Sequence, residues 1–399
     1  MDQIVLFDDP KIRGNLLPFT FTRPVGEIRI GILKISEKWE RHLSLPSGYL
    51  TQPYLQDKYT LAEVPSIMVN GAVCPSLELL DLIQNLSEGE SVWQNELLLA
   101  ASVTSPSSFR ADELQKKKFK TFEGDCTIIW KNWNIFQQNG VEIKRDYELL
   151  TKRRISTGAK DPYTNIYQES NTFIETGAKI KSAIINAENG PVYIGKNAEI
   201  GEGSIIRGPF AMCEGAMLSL GSKMRGDITI GPKCKVGGEV SNSVFFGYSN
   251  KSHDGYLGNS VVGEWCNLGA NTNNSNLKNN LGTIKVWDYL KGGFNGTDLQ
   301  FCGAFIGDHV KLGINTMLNS GTVIGIGANV FGEGFPRKFI SSFAWGGASG
   351  FSTFQLKKFE ETTRKAMEMK GQEFTEAERL ILQKVFEITR PYRIWDKGF

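Results

Sequence analysis

From about residue 173 to 335, apolar residues recur at every sixth position, and most are followed by glycine. Ile194-Gly195 leads to Ile200-Gly201, Ile206, Met212 and Leu218; later come Ile230-Gly231, Val236-Gly237, Val262-Gly263 and Leu268-Gly269. The last run is Ile306-Gly307, Leu312-Gly313, Leu318, Ile324-Gly325 and Val330. A helix repeats every 3.6 residues and a strand every two, so neither explains a period of six. One short strand plus one turn does. The pattern predicts a parallel β-helix in which the apolar residue points inward and the glycine permits the bend. Its coils bury their apolar positions only against their neighbours. A glycine-rich β-sandwich is the alternative, and it has no reason to keep so long a register.

The flanks read differently. In the first 165 residues, apolar runs at 4–7, 67–69, 97–101 and 127–130 suit strands, while 77–86 suits a helix. Ile28, Ile32, Ile35, Trp39 and Leu43 are spaced as one helix over 27–43. That alternation predicts an α/β layer domain. At the other end, 353–369 and 375–389 read as charged helices that cap the end of the solenoid. Thr375 and Glu378 form a capping box at the start of the second. The expected domains are therefore 1–165 (α/β), 166–350 (β-helix) and 351–399 (helical extension).

Composition narrows the chemistry. The 45 Lys+Arg nearly balance 43 Asp+Glu, a net charge of +2, which offers no field for a nucleic acid. Of 43 glycines, 31 fall between Gly177 and Gly347, as the repeats require. Cys74, Cys126, Cys213, Cys234, Cys266 and Cys302 have no paired spacing, so reduced thiols in a cytoplasmic protein are expected. The N-terminal stretch lacks a basic, then apolar, leader, and no run is long enough to span a membrane.

Three histidines are present: His42, His253 and His309. His253 lies in Asn250-Lys251-Ser252-His253-Asp254-Gly255-Tyr256, which breaks the six-residue rhythm. A loop leaving a rigid solenoid is where a base can be both exposed and positioned. The stretch from Glu239 to Gly269, with Ser252-His253-Asp254-Gly255-Tyr256-Leu257-Gly258 at its centre, resembles the bifunctional N-acetylglucosamine-1-phosphate uridyltransferase/glucosamine-1-phosphate acetyltransferase family. Gly208-Pro209-Phe210-Ala211 reproduces a further short signature of that family.

The resemblance implies a left-handed β-helix, a homotrimer, and acetyl-CoA as acyl donor to an amino-sugar phosphate. It makes His253 the base, Glu239 the carboxylate that orients it, and Asn276 an oxyanion-stabilising side chain. Tyr256 and Asn267 would hold the sugar phosphate. Met212 stands where the family has arginine, Ser241 and Asn242 where it has lysine, and Leu277 where it has tyrosine. Arg225, Lys251 or Lys285 is left to supply the phosphate-binding charge. About twenty residues, 287–304, are inserted.

Near the N-terminus, the run from Asn15 to Val25 resembles the Arg-Leu-x-Pro-Leu-Thr stretch of sugar-phosphate nucleotidyltransferases. The glycine-rich phosphate loop before it is replaced by Asp8-Asp9-Pro10-Lys11-Ile12-Arg13-Gly14. The combination is similar to a divergent Bacteroidetes-type version of the bifunctional enzyme. Arg13, Arg23, Arg29 and Asn70 are then candidates for binding nucleotide or sugar phosphates, with Mg2+ as cofactor and metal ligands unassigned. Three readings stay open: an acetyltransferase with uridylyl-transfer activity, a non-catalytic trimer that binds sugar nucleotides or serves as a scaffold, or the same fold acylating another amino-sugar nucleotide.

Overall fold

A computed structural model describes residues 2–114 and 119–398. The chain divides into two units, one of residues 1–28 and 33–131, the other of 29–32 and 132–399. The boundary thus falls well before the expected residue 165.

The first unit is an α/β layer. Its strands are β1 (Gln3–Phe7), β2 (Ser47–Leu50), β3 (Ser66–Asn70), β4 (Ser91–Gln94), β5 (Leu97–Val103) and β6 (Phe119–Thr121), in the order β2-β1-β3-β5-β4-β6. β1 is parallel to β2 and β3, while β5 is antiparallel to β3 and β4. Wholly buried β1 and β3 read as continuous apolar runs, as central parallel strands should. The helices are α1 (Pro10–Asn15), α2 (Ile35–Leu43), α3 (Leu77–Gln84) and the single turn α4 (Ala111–Leu114). The helix expected over 27–43 is confined to its second half, because Gly31 is left-handed at φ +75° and breaks the run. Residues 127–130 form no strand, only an isolated bridge between Val73 and Ile128.

The second unit is a left-handed parallel β-helix of three sheets, with six, nine and ten strands. Its core is a continuous column of buried side chains from Ile174 to Ala344. In regular coils Leu218 pairs with Val236 and Met212 with Ile230, eighteen residues on, so each coil is three six-residue faces. The glycine after each inward residue has a different role from the one expected. A Cβ on Gly195 would lie 2.7 Å from Met212 O, and one on Gly231 would lie 2.1 Å from Phe246 O. These positions must be bare because the next coil's backbone passes over them. The bend comes two residues later, at left-handed positions such as Asn197 (φ 55°), Lys233 (φ 56°) and Asn271 (φ 56°).

Helix α5 (Asn132–Thr151) packs on the solenoid, and the repeat pattern gives no hint of it. Its buried face mixes Ile135, Phe136 and Ile143 with Asn139, Glu142 and Asp146. Those polar groups have backbone to satisfy: Asn139 Oδ1 accepts from Gly31 N at 2.8 Å, and Asp146 Oδ2 from Ile32 N at 2.8 Å. The C-terminal helices α6 (Leu356–Glu368) and α7 (Glu376–Ile388) form as expected, with the Thr375/Glu378 capping box in place. They run along a corner of the solenoid rather than across its end. Phe359 of α6 packs edge-on against His309 and Phe343, and Lys370 reaches Lys233 O at 2.7 Å. Covered by the helix is a ladder of left-handed corner residues, Tyr248, Trp265 and His309, whose rings stack coil on coil.

Candidate functional site

The coil leading up to His253 is the irregular one. Val236 pairs with Lys251, fifteen residues on and three short of a full coil. The deficit lies before Lys251: Val236 to Val240 takes four residues and Val240 to Phe245 five, whereas Lys251 to Leu257 takes the regular six. His253 thus sits exposed in a full-length corner above a tighter one. Its imidazole makes no hydrogen bond or ion pair among the described residues.

The six-stranded sheet ends at Tyr256–Gly258. Its outer edge is closed by side chains rather than by another strand: Tyr256 N donates to Asn273 Oδ1 at 2.7 Å and Gly258 N to Asn274 Oδ1 at 2.9 Å. The asparagine-rich stretch Asn271 to Asn276 supplies these acceptors because an amide side chain can mimic a peptide edge. It also delivers Asn276, whose Nδ2 donates to Tyr256 Oη at 2.9 Å and to Asn259 Oδ1 at 2.7 Å. Gly258 makes room for the pair, since a Cβ there would lie 2.2 Å from Tyr256 Oη. Burial raises the Tyr256 phenol above its ordinary pKa, so it stays protonated.

Across the strands, Tyr256 pairs with Glu239. The Glu239 carboxylate is held by Arg225 at 3.0 Å. Arg225, Glu239, Arg207, Lys223, Ile205 and Met224 line a surface groove of about 450 Å³ with three cations and one acid. Arg207 and Lys223 escaped the sequence reading; the signal for them is the outward position next to the inward Ile206 and Met224, one coil apart.

The structure therefore brings Glu239, Arg225, Tyr256 and Asn276 onto one face, with His253 in the adjoining corner. Asn267 stands on the ten-stranded face, in register with Asn250 and Lys311. Lys285 lies just before the insertion expected at 287–304, at the start of a hairpin of Lys285–Asp288 against Gly293–Gly296. Lys251 is no surface cation: it is 1% exposed. The buried thiols of Cys234, Cys266 and Cys302 are pushed up to about 12 by burial, so they are unreactive at neutral pH.

In the first unit, the candidate residues are drawn into structure. Asp9 caps α1, and buried Asp8 accepts from Val25 N at 2.8 Å and Thr51 Oγ1 at 2.6 Å. Arg13 donates to Thr20 O at 2.7 Å and Tyr54 Oη at 2.8 Å. Asn70 is buried at the end of β3, bonded to Leu98 O and Ala72 N, and Arg23 is buried too. Arg29 does not belong to this unit; within the second it donates to Phe246 O at 3.0 Å and to Ile32 O. The Mg2+ implied by the family resemblance finds no fit. Both carboxylates after β1 are engaged, position 72 is alanine, and no cluster of three His, Cys, Asp or Glu side chains occurs among the described residues.

Glu27 is a buried acid held by three side chains. Burial opposes its charge, but Lys34 at 2.8 Å, with Tyr49 and Ser36, carries its carboxyl down to about 2. A depressed carboxyl stabilises the fold above its unfolded value and loses that contribution as pH falls from about 4.5 toward 2. Glu27→Gln is expected to flatten the acid limb of stability in that window; equal pH slopes for the two proteins, measured by denaturant midpoints between pH 5 and 3, would contradict it.

Residues 4–155 match the model of the sugar nucleotidyl transferase family. Over 212 residues, 53% of the chain, it is 32% identical to a bifunctional sugar-1-phosphate nucleotidylyltransferase/acetyltransferase of Sulfurisphaera tokodaii, covering 46% of that protein. Over 95 residues it is 36% identical to the bifunctional protein GlmU of Methanococcus maripaludis, covering 22% of it. The chain thus matches less than half the length of these relatives. Among solved structures, an Arabidopsis UDP-N-acetylglucosamine acyltransferase aligns over 59% of the chain and 96% of its own, at 14% identity and a TM-score of 0.24. The chain is GlmU-like in sequence. No described helix is long and apolar enough to cross a membrane.

Proposed function

We propose that this GlmU-like chain is a sugar-nucleotide biosynthesis enzyme whose β-helix transfers acetyl from acetyl-CoA to the amine of glucosamine-1-phosphate or a related amino sugar. One observation carries the reading: His253, exposed and without a hydrogen bond among the described residues, stands three residues before Tyr256, whose strand borders a groove with three cations. In this reading His253 takes the proton as the amine attacks the thioester carbonyl. The C–N bond forms, the C–S bond breaks, and the coenzyme thiolate leaves and is protonated. Asn276 and Tyr256 face the same side and would bind the acceptor and the developing oxyanion, an interaction worth on the order of 3 kcal/mol per donor. Arg225, with Arg207 and Lys223, takes the role of the missing family cations at the phosphate. Release of free thiol from acetyl-CoA, run against a panel of amino sugars, tests the reading; no release with any of them would end it.

The groove makes a sharper prediction. Arg207→Met with Arg225→Met is expected to raise KM for glucosamine-1-phosphate about tenfold or more, leaving KM for unphosphorylated glucosamine unchanged, because only the phosphate meets the guanidinium groups. Equal effects on both acceptors would remove the phosphate from the groove.

The first unit belongs to the same reading, as the half that joins UTP and N-acetylglucosamine-1-phosphate. The engagement of Arg13, Asp8 and Asn70 in internal bonds favours a second reading for it, sugar-nucleotide binding without turnover. Pyrophosphate release from that pair of substrates supports the first; calorimetric binding of UDP-N-acetylglucosamine with no release supports the second. A homotrimer in the cytoplasm completes the proposal, and sedimentation reads the copy number directly.

A further inference from the structure

Eight successive strands of the ten-stranded sheet each place one side chain into the core, in a single row: Ile180, Ile200, Leu218, Val236, Lys251, Leu268, Leu312 and Val330. Seven are apolar and one is a lysine. A buried ammonium is among the most expensive groups to place in such a row, and one methylene-rich side chain of equal length would fill the space without that penalty. No acid forms an ion pair with it among the described residues; Asp254, exposed, is the only charge acting on it. Burial pulls the amine down to about 8.

What the ammonium does hold is two backbone carbonyls. Lys251 Nζ donates to Gly237 O at 3.1 Å and to His253 O at 3.0 Å. The first belongs to the shortened corner of the coil below, where Val236 to Val240 takes four residues, and the second to the six-residue corner above it that carries His253. Stacked corners of four and six residues cannot pair all of their peptide groups with each other, and these two carbonyls take their donor from the core. The interior lysine supplies it, tying the turn that carries the imidazole to the rigid coil beneath.

We infer that Lys251 is a positioning residue, which fixes the His253 turn from inside the solenoid and does not contact the acceptor's phosphate. The catalytic part of this rests on the acetyl-transfer reading above; the mechanical part does not.

Lys251→Met and Lys251→Leu give this position the kind of side chain its row carries in the coils above and below. Two readouts separate the parts of the inference. In the first, kcat for acetyl transfer is expected to fall about tenfold or more in both variants, with KM for acceptor and acetyl-CoA within about twofold, since the binding groups are untouched. In the second, cleavage before Asp254 by an aspartate-directed protease is expected to quicken about tenfold, while cleavage before Asp298 in the hairpin region is unchanged. Unchanged cleavage at Asp254 overturns the inference whatever the activity does. Normal kcat, or a rise in KM for phosphorylated acceptors alone, overturns it also, the latter by returning Lys251 to the phosphate. Failure of both variants to fold overturns it as well, by making the ammonium a support of the whole coil. Faster cleavage in a protein whose transfer does not depend on His253 upholds the tether and refutes the acetyl-transfer reading instead.

Discussion

His253→Ala is expected to lower acetyl transfer by roughly 10²- to 10⁴-fold, the usual contribution of a positioned general base. The loss should fall on kcat, because the imidazole acts on the proton leaving the amine and makes no binding contact with the phosphate. It should come without any cost in stability. The side chain is exposed and bonds to nothing among the described residues, so removing it leaves no buried group without a partner. An unaltered thermal midpoint together with lost thiol release is the expected pair of results. Wild-type activity in the variant would remove His253 from the chemistry. Glu239→Gln should do much less to kcat: its carboxylate is paired with Arg225 at 3.0 Å, so it orders the groove rather than the imidazole.

Gly231→Ala is expected to be strongly destabilising for the addition of a single methyl group. The new Cβ would lie 2.1 Å from Phe246 O and 2.5 Å from Phe245 O, both backbone atoms of the next coil. Nothing flexible can swing away, so the two coils must separate, and the loss should reach about 3 kcal/mol or more. Gly221→Ala is the control. Its φ is +67° and no atom lies within 4 Å of the added carbon, so only the left-handed backbone is strained, at about 1 kcal/mol. Chemical denaturation of the two variants distinguishes two duties that one residue type performs. Equal losses would mean that close approach between coils is not what keeps Gly231 bare.

That distinction marks where the sequence is readable. The inward row is legible because every coil meets the same neighbour at the same height, so its apolar residue must recur. The reason for the glycines is not, since a bare position looks the same whether it serves an odd φ or a passing backbone. The structure puts the bend two residues on, at Asn197 or Lys233, which composition hides among ordinary polar residues. Helix α5 escaped for a related reason. Its buried positions keep helical spacing, but Asn139, Glu142 and Asp146 occupy them, and hydrophobic periodicity cannot register a face built to bind backbone. Arg29 looked like a phosphate ligand because an isolated arginine always does; only its neighbours Phe246 and Ile32 reveal a carbonyl clamp. Lys251 is a candidate for the phosphate by its charge alone, and its burial at 1% exposed is what the sequence hides.

The inserted hairpin bears on how such a molecule changes over time. Leu268 and Leu312 are partners on adjacent coils although forty-four residues separate them, so the chain leaves at a corner and rejoins the stack one step higher. The stack keeps its register across the excursion, and the hairpin folds back on a higher coil, where Trp287 stacks on Phe339. Lengthening such an excursion costs only slowly growing closure entropy, about 0.6 kcal/mol for each doubling. Corners are thus open sites for novelty: a lineage can lengthen, trim or replace what hangs there, and so revise what the protein recognises, while the column that keeps it folded stays as it was.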